Sequence, residues 1–362
     1  MSTIAFLTGT LNALAGAERM TTTIANALAA RGHKICIISL WDTRSVFPLH
    51  PAVCHVGLFD TRPSFKAQYL ATVRRLRRVL REHRVTALVE ADTMLAWFTL
   101  PATLGCRIRR VGWEHCHFDE DLGRKARRVA RRMAARWHNA IVVLTESDRQ
   151  RWIDATHPRC PVLALPNPLP FPIPTAPARR LGKQVLAVGR LTGAKGFDTL
   201  IRAWADVTPS APEWTLTIIG EGEDRSQLES LRAELDLVDS VQMPGTRSDI
   251  AETYRQASLF CLSSRYEGFG LVLIEAMAFG LPVVSTNCEA GPRSLLRDGE
   301  NALVVPVDTP RALATALLSV MQDERRAAQL AAGARLSAQR FELAPIIDKW
   351  EALLTDHTVT GR

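Results

Sequence analysis

Two basic residues lie in a short loop between an apolar run and a helical pattern in the second half of the chain. The apolar run ends at Gly189, Arg190 follows it, and Lys195 precedes a helix expected to begin near Gly196. The first backbone N–H groups of a helix are unpaired and carry partial positive charge. Two cations beside such a helix start suit a diphosphate, although an ordinary basic loop would look the same. The stretch has no GxxxxGKS/T pattern, which excludes a P-loop.

Two glutamates, Glu267 and Glu275, mark a second cluster. Glu267 is expected in a turn after the strand Leu259–Leu262, where Gly268 and Gly270 would let a ligand approach the backbone closely. Glu275 lies inside the helix that follows, among Leu, Val, Ile, Met and Phe. A carboxylate in so apolar a helix needs partners. Sugar hydroxyls would serve, and so would a salt bridge in the protein core.

A third cluster follows a predicted strand in the first half of the chain. His115 and His117 lie in the loop after Val111–Trp113, and either could orient a substrate hydroxyl or be a structural histidine. The loop continues into Asp119-Glu120-Asp121, the only Asp-x-Asp of the chain. The two histidines could bind a metal with one of these carboxylates. Nothing else supports a metal, and we expect a solvated acidic loop and no metal site.

The elements that position these residues form a regular alternation of short apolar runs and amphipathic helical stretches. Such βαβ repetition predicts parallel sheets covered by helices, and 47% hydrophobic residues exclude wholesale disorder. The predicted strands are Ile4–Leu7, Lys34–Leu40, Ala87–Val89, Val111–Trp113, Ala140–Leu144, Val185–Val188, Thr215–Ile219, Leu259–Leu262 and Pro282–Ser285. The predicted helices are Ala17–Arg31, Ser64–Glu82, 122–138, Gly196–Val207, Phe269–Phe279, Arg311–Met321, Glu324–Phe341 and Ile346–Leu354.

A proline-rich segment, Pro166–Pro177, separates two such alternations. Six prolines in twelve residues form neither a helix nor an internal strand, so this segment is the predicted domain boundary. We expect two doubly wound α/β domains, 1–168 and 169–340, and a C-terminal helix over 341–362 that packs back on the first domain. Ligands of such sheets bind at the carboxyl ends of the strands, and two facing domains would place a site in the cleft between them.

These motifs together resemble the family 4 glycosyltransferases, which have the GT-B fold of two facing Rossmann-like domains. The resemblance rests on EGFGLVLIEAMAFGLPVVS, on GRLTGAKGFD, and on Gly220–Glu223 and Asp298–Asn301. In the first half, Ala15–Arg19 resembles the Gly-Gly-Ala-Glu-Arg loop of the family, and Pro166–Pro168 resembles its interdomain junction.

The resemblance implies retaining transfer of a sugar from a nucleotide sugar, UDP being the nucleotide expected by family frequency, without a cofactor or metal. It implies that Arg190 and Lys195 hold the diphosphate, that Glu267 binds donor-sugar hydroxyls and that Glu275 binds the ribose. His115 is implied to face the donor sugar, so the implied catalytic residues are Glu267, His115, Arg190 and Lys195. The implied donor-binding residues are Gly16, Gly189, Arg190, Lys195, Glu267, Gly268, Phe269, Gly270, Leu271 and Glu275.

Charge is distributed unevenly along the chain. Residues 1–170 hold 25 Lys/Arg and 13 Asp/Glu, a net charge of +12, and the remainder is at −4. In 124–137, Val129, Ala130, Met133 and Trp137 are expected on one apolar face with the charges around it, which is typical of a basic amphipathic helix on an anionic membrane. A solvated basic helix would look similar. Nucleic-acid binding is disfavoured, since no recognised module is present and only 6% of residues are aromatic.

Cysteine usage and the N-terminus favour a cytoplasmic protein. The seven cysteines form no CxxC pair, so neither a disulfide framework nor a structural zinc site is expected. Neither a signal peptide nor a membrane-spanning run is evident, so we expect a location in the cytoplasm or on the inner face of its membrane.

The expected partners are a nucleotide sugar and a glycan or polyprenyl-diphosphate-linked acceptor, in the synthesis of capsule, exopolysaccharide or lipopolysaccharide. Two alternatives remain: a nucleotide-sugar epimerase of the same fold, and a non-catalytic basic scaffold that binds membranes. A glycoside hydrolase and a nicotinamide dehydrogenase are disfavoured. The two glutamates are not obviously aimed at one bond, and no GxGxxG follows a strand.

Overall fold

A computed structural model describes residues 3–121, 123–247, 249–289 and 291–355. The chain divides into two compact units, one of Met1–Pro170 with Leu343–Arg362 and the other of Phe171–Glu342. The division falls inside the proline-rich segment, and the last helix belongs to the first unit. Each unit is a parallel sheet with helices, as the alternation of apolar runs predicts.

The first unit contains a seven-stranded parallel sheet in the order β3-β2-β1-β4-β5-β6-β7. Its strands are β1 Thr3–Thr8, β2 Lys34–Ser39, β3 Val53–Gly57, β4 Ala87–Glu90, β5 Arg109–Trp113, β6 Ala140–Val143 and β7 Val162–Ala164. Its helices are α1 Gly16–Ala30, α2 Tyr69–Glu82, α3 Ala96–Ala102, α4 Lys125–Trp137, α5 Glu146–Thr156 and α13 Leu343–Thr355. Strand β1 pairs with β2 on one side and β4 on the other, which is the reversal of strand order at which doubly wound sheets bind ligands.

The second unit contains a six-stranded parallel sheet in the order β10-β9-β8-β11-β12-β13. Its strands are β8 Gln184–Val188, β9 Thr215–Ile219, β10 Val241–Gly245, β11 Leu259–Leu262, β12 Val283–Thr286 and β13 Leu303–Val305. Its helices are α6 Phe197–Val207, α7 Arg225–Glu234, α8 Ile250–Gln256, α9 Leu271–Ala278, α10 Gly291–Leu295, α11 Pro310–Met321 and α12 Glu324–Ala338. The reversal here lies between β8 and β11, and the two glycine-containing loops predicted to bind the donor follow these two strands.

Apolar side chains from both layers fill the core of each unit. In the second unit Val185 of β8, Trp204 of α6 and Leu317 of α11 are fully buried members of one cluster. In the first unit Leu76 of α2 packs with Cys36 of β2 in the same manner. This burial fixes the helices on the sheets and thereby holds the loops at the carboxyl ends of the strands.

The last helix is anchored to the first unit. Trp350 of α13 is 1% exposed, and its ring lies 4.9 Å from that of Trp113 at the end of β5. Glu351 accepts hydrogen bonds at 2.6 Å from both Arg31 and His33, which follow α1. A helix distant in sequence therefore completes the core of the first unit.

Candidate functional site

The loop after β8 places Lys195 at the start of a helix. Residues Gly193–Lys195 form a 3-10 turn, Gly196 is the N-cap residue of α6, and the amide of Gly189 donates to the carbonyl of Ile219. Lys195 is thus fixed beside the free N–H groups of α6, as its sequence position predicts.

The structure joins this loop to the second cluster through an ion pair. The Nζ of Lys195 lies 2.6 Å from Oε1 of Glu267, which is only 7% exposed. The hydroxyl of Ser264 donates to the same carboxylate oxygen at 2.9 Å. Residues 72 positions apart in sequence therefore meet at the ends of the two central strands.

A second contact between these loops could not be foreseen from the sequence. The guanidinium of Arg265 donates two hydrogen bonds to the carboxylate of Asp198, at 2.7 and 2.8 Å, and a third to the carbonyl of Gly193. Burial opposes ionisation of Asp198, but the hydrogen bonds from Arg265 outweigh it and lower the pKa of this carboxyl. The bidentate pair fixes the Lys195 loop against the loop that carries Glu267.

Gly196 is required where these two loops touch. Its φ is +60°, and a Cβ atom there would lie 2.2 Å from the carbonyl oxygen of Ser263. Any side chain at this position would force the loops apart. Glycine at this position therefore allows the backbones of the two loops to come into contact.

The predicted phosphate-facing residues surround the start of α9. Gly268 is half-buried, Phe269 is buried against Phe341, and Gly270 is the N-cap residue with φ +87°. Leu271 is the first residue of the helix. The unpaired N–H groups of this helix start lie in the same loop as Glu267.

Glu275 is buried in α9 and hydrogen-bonded. It is 1% exposed, and Oε2 accepts a hydrogen bond from the hydroxyl of Tyr254 at 3.0 Å. One partner of this carboxylate is thus a neutral donor, and a carboxylate in an apolar helix requires such hydrogen bonds.

Arg190 is exposed, and it pairs with a different carboxylate from the one that Lys195 contacts. Its side chain is 74% exposed and lies 3.2 Å from the carboxylate of Glu223. An exposed ion pair of this kind contributes about 1 kcal/mol or less, so little energy holds Arg190 in this position.

In the first unit, His115 follows β5 and packs its ring 4.2 Å from that of Trp113. Burial lowers the pKa of His115 to about 4, opposed by the nearby Asp92, so the imidazole is neutral near pH 7. Its Nε2 is buried and has no hydrogen-bond partner among residues 3–121 or the other described ranges. Gly16 is the first residue of α1, and Ala15 before it has φ −129°, a conformation open to any residue.

His117, in contrast, is held in a polar network. It is 4% exposed, its ring contacts Arg151, and its nitrogens lie 3.7 and 3.9 Å from carboxylates of Asp119 and Asp148. Asp119 in turn pairs with Arg151 at 2.9 Å. Burial raises the pKa of Asp148 to about 6. These contacts are those of a structural histidine.

Helix α4 does not present the face that the sequence predicts. Val129 is 43% and Trp137 54% exposed, whereas Arg127 and Arg131 are 2% exposed. The reason is Glu114 at the end of β5, which is buried and lies 3.1 Å from Arg127 and 3.2 Å from Arg131. The expected apolar face is thus divided, with Val129 and Trp137 exposed and Ala130 buried, and the expectation that the charges cover the rest of the helix is wrong for Arg127 and Arg131.

The exposed side of α4 is nevertheless strongly basic. It carries five exposed cations, Arg124, Lys125, Arg128, Arg132 and Arg136. Val129 and Trp137 lie among them, and Arg128 pairs with Asp121. In the part of the chain that the structure describes, no helix is long and apolar enough to cross a membrane.

Two family models match this chain and together span most of it. The model described as Glycosyltransferase Family 4 matches residues 14–170, and the model described as Glycosyl transferases group 1 matches residues 178–337. The matched segments coincide with the two Rossmann-like units.

Relatives align along the whole chain. An uncharacterised glycosyltransferase of Haemophilus influenzae is 28% identical over 98% of this chain and 100% of the relative. A Campylobacter jejuni α-1,4-N-acetyl-D-galactosaminyltransferase, whose name gives an undecaprenol-diphosphate-linked glycan as its acceptor, is 28% identical over 98% of this chain and 99% of the relative.

Solved structures show the same fold. Anabaena Alr3699/HepE with UDP-glucose superposes with a TM-score of 0.82 at 21% identity, covering 98% of this chain and 100% of that one. S. aureus TarM, solved with UDP, fondaparinux and α-GlcNAc-glycerol, gives 0.82 at 14% identity over 98% and 100% of the two chains.

Proposed function

The chain belongs to the GT-B glycosyltransferases, with a family 4 domain followed by a group 1 domain, and we propose that it moves a sugar from a UDP-sugar to a lipid-linked glycan with retention of configuration. The observation that carries this proposal is the ion pair of Lys195 and Glu267 at the carboxyl ends of β8 and β11. The epimerase and the non-catalytic scaffold are disfavoured, because both units match glycosyltransferase models.

In the proposed reaction Lys195 acts on the leaving group. The bond from the anomeric carbon to the diphosphate breaks as the acceptor hydroxyl bonds to that carbon and passes its proton to the released oxygen of the diphosphate. Negative charge grows on the departing diphosphate, and a preorganised cation stabilises it in the transition state. Glu267 holds Lys195 in place in the free enzyme and offers its second oxygen to a hydroxyl of the donor sugar.

The remaining donor contacts are proposed around the starts of α6 and α9. The N–H groups of Phe269–Leu271 face the phosphates, and Glu275 accepts hydrogen bonds from the ribose. Arg190, which forms an exposed pair with Glu223, exchanges that partner for the diphosphate. These fixed donors would supply the positive charge that a metal would otherwise bring, so we propose metal-independent transfer.

His115 is the proposed contribution of the first unit. A neutral imidazole can both donate and accept a hydrogen bond, and Nε2 is unpaired among the described residues. We assign it to a hydroxyl of the donor sugar or of the acceptor. His117 is not assigned to the sugar, since its ring is engaged with Arg151.

The acceptor class rests on the relatives. The Campylobacter relative is named for an undecaprenol-diphosphate acceptor, and shorter matches are named for amylovoran and lipopolysaccharide-core synthesis in Erwinia amylovora and Rhizobium meliloti. We propose a surface-glycan acceptor of the same kind for this chain.

A panel of nucleotide sugars tests the proposal. The purified enzyme should be protected against thermal unfolding by UDP, should slowly hydrolyse one UDP-sugar, and should give a product whose anomeric configuration, read by NMR, equals that of the donor. Replacing Lys195→Ala should lower turnover by about 10²–10³-fold with the fold intact, as expected for loss of one group that stabilises a developing charge.

Lys183→Ala is the matched control for that variant. Lys183 is an exposed lysine of the second unit that also pairs with a glutamate, Glu213, at 3.2 Å, and its loss should leave turnover unchanged. Wild-type turnover in Lys195→Ala contradicts the diphosphate role. Interconversion of donors in the absence of any acceptor would instead establish the epimerase.

We further propose that the exposed face of α4 binds anionic membranes, which would bring the enzyme to a lipid-linked acceptor. Basic side chains near an anionic surface gain about 1 kcal/mol each, and Trp137 offers an amphipathic ring suited to the headgroup region. The indole N–H of Trp97 donates a hydrogen bond to the carbonyl of Ala126 in α4. The ring of Phe65, which is 48% exposed, lies 6.4 Å from the ring of Trp97. Apolar surface thus adjoins the basic face.

Vesicle cosedimentation tests this face. The triple variant Arg128→Ser, Arg132→Ser, Arg136→Ser should bind phosphatidylglycerol vesicles at least tenfold more weakly, with a shallower dependence on salt. The control replaces three exposed arginines of the second unit, Arg311, Arg325 and Arg326, with serine and changes net charge equally. Equal weakening by both sets would mean that only total charge matters, and the proposed face would be wrong.

A further inference from the structure

We propose that Cys36, Cys54 and His83 form a site for a thiolate-preferring divalent cation, Zn²⁺ being the best match. The three residues lie on β2, on β3 and immediately after α2. Both cysteines lie near the amino ends of their strands, whereas His115 and the other site residues follow the carboxyl ends. The site is therefore separate from the transfer chemistry and does not depend on the proposed function.

The sheet register brings the two thiols together. Cys36 and Cys54 are direct partners across the parallel β2–β3 pair, so their side chains project from the same face of the sheet. Cys36 packs with Leu76 and Val79 of α2, which identifies that face as the one α2 covers. Since α2 ends at Glu82, the next residue, His83, lies at the edge of the same layer.

The ligand atoms already have nearly the spacing of a tetrahedral site. The two Sγ atoms and a ring nitrogen of His83 all lie within 4.8 Å of one another. With Zn–S distances of about 2.3 Å and Zn–N of about 2.0 Å, ligand atoms in a tetrahedral site are roughly 3.5–3.8 Å apart. Small side-chain rotations would close the difference.

The surroundings allow an ion to enter and a fourth ligand to bind. Cys54 is exposed, His83 is half-buried, and a cavity of about 370 Å³ reaches all three ligands. Glu82 lines the same cavity, so its carboxylate or a water can complete the set. The charges of a dication and two thiolates cancel, so the nearby cations Lys34 and Arg84 are not repelled by a net positive site.

The ligand types select the ion. Two sulfurs and an imidazole suit Zn²⁺ and disfavour Mg²⁺ and Ca²⁺, which require oxygen ligands. Binding converts two thiols to thiolates and releases two protons for each ion. A disulfide between the same cysteines is the competing chemistry.

Cobalt(II) titration of the reduced full-length protein tests the site, because tetrahedral Co²⁺ with thiolate ligands absorbs intensely in the visible and shows a thiolate charge-transfer band in the near ultraviolet. We expect both signals to saturate at one ion per chain, to disappear on addition of Zn²⁺, and to be accompanied by release of two protons.

Cys54→Ser should abolish the charge-transfer band at equal Co²⁺, and His83→Ala should weaken cobalt binding at least tenfold. Both positions are outside the core, so the variants should fold, which circular dichroism verifies. Cys106→Ser, a half-buried cysteine elsewhere in the first unit, is the matched control and should titrate like wild type. Absence of a thiolate band in the reduced wild type overturns the proposal, as does a band that persists in Cys54→Ser.

Discussion

At the scale of single residues, the protein uses its ionisable groups in two ways. Lys195 and Glu267 meet at the ends of two strands with part of the lysine exposed, so the pair can exchange partners with an incoming anion. Glu114 is instead enclosed by two arginines and is 1% exposed. Burial and Asp92 raise the pKa of Glu114, and Arg127 and Arg131 oppose them. Only the first kind of pair is suited to binding a substrate.

The residues of the proposed donor site were chosen from the sequence, but their contacts could not be predicted from it. Glycines and charges near a predicted helix start indicated an anion site around Lys195. The ion pair with Glu267 depends on the adjacency of β8 and β11, which the sequence does not encode locally. Arg265 carried no distinguishing pattern, because its partner Asp198 is 67 positions away.

His115 makes the stability of the protein depend on pH in a defined window. Its pKa is about 4 in the folded protein against an ordinary value of 6.5, so the unfolded chain binds the proton more readily. Stability is therefore lost as pH falls from 6.5 towards 4, by at most about 3 kcal/mol from this group.

Urea unfolding of wild type and His115→Asn across pH 4–8 measures that contribution. The difference in unfolding free energy between the two proteins should stay constant above pH 7 and shift in favour of the variant as pH falls below 6.5. If the difference is the same at every pH, folding does not lower the pKa of His115.

At the scale of elements, α4 shows how a charge inside the fold determines which side of a helix is buried. The hydrophobic pattern placed Val129, Ala130, Met133 and Trp137 on one face with the charges around it, because arginine is ordinarily counted as solvent-facing. Glu114 reverses that assignment by drawing Arg127 and Arg131 inward. The position and length of the helix followed from its periodicity, whereas its orientation depends on Glu114 and, for Arg127, also on Asp92, neither of which lies in the helix.

Elements with weak apolar patterns are not predictable from the sequence for a related reason. Helix α5 reads ESDRQRWIDAT and has no continuous apolar stripe. Strand β3 has no buried residue, since Cys54 is exposed and its other residues are half-buried. Both are held by tertiary neighbours: Trp152 of α5 is fully buried, and β3 pairs along its whole length with β2. Local propensity alone is too weak to specify such elements.

Removing the charge of Glu114 should damage α4 far more than removing a surface pair from the same helix. Glu114→Gln removes the carboxylate that pairs with buried Arg131, while Arg127 keeps its pair with Asp92 at 2.8 Å. Removing one partner of a buried ion pair typically costs about 3–5 kcal/mol. Arg128→Ala breaks only the pair with Asp121 on the surface and should cost about 1 kcal/mol or less. Chemical denaturation of both variants provides the comparison. Similar small losses would mean that the network contributes little to holding the helix.

At the scale of the whole molecule, the two units share one architecture but differ in how many chain segments form them. The second unit is continuous in sequence over Phe171–Glu342, whereas the first is completed by the last segment of the chain. The proline-rich segment made the first boundary predictable, since six prolines exclude regular structure there. The return of α13 to the first unit depends on Trp350 and Glu351, whose partners lie far away in sequence.

This closure predicts that a change in the final helix weakens the first unit selectively. Trp350→Ala removes a fully buried ring packed on Trp113 and should cost about 3–5 kcal/mol. Hydrogen exchange followed by mass spectrometry should show faster exchange in β1, β5 and α1, with β8 and β11 protected as before. UDP should still protect the second unit, because the groups proposed to bind its diphosphate and ribose all lie in 189–275. Lys349→Ala, an exposed neighbour on the same helix, is the control and should leave both units unchanged. Equal acceleration of exchange in both units would show that α13 stabilises the molecule as a whole instead of completing the first core.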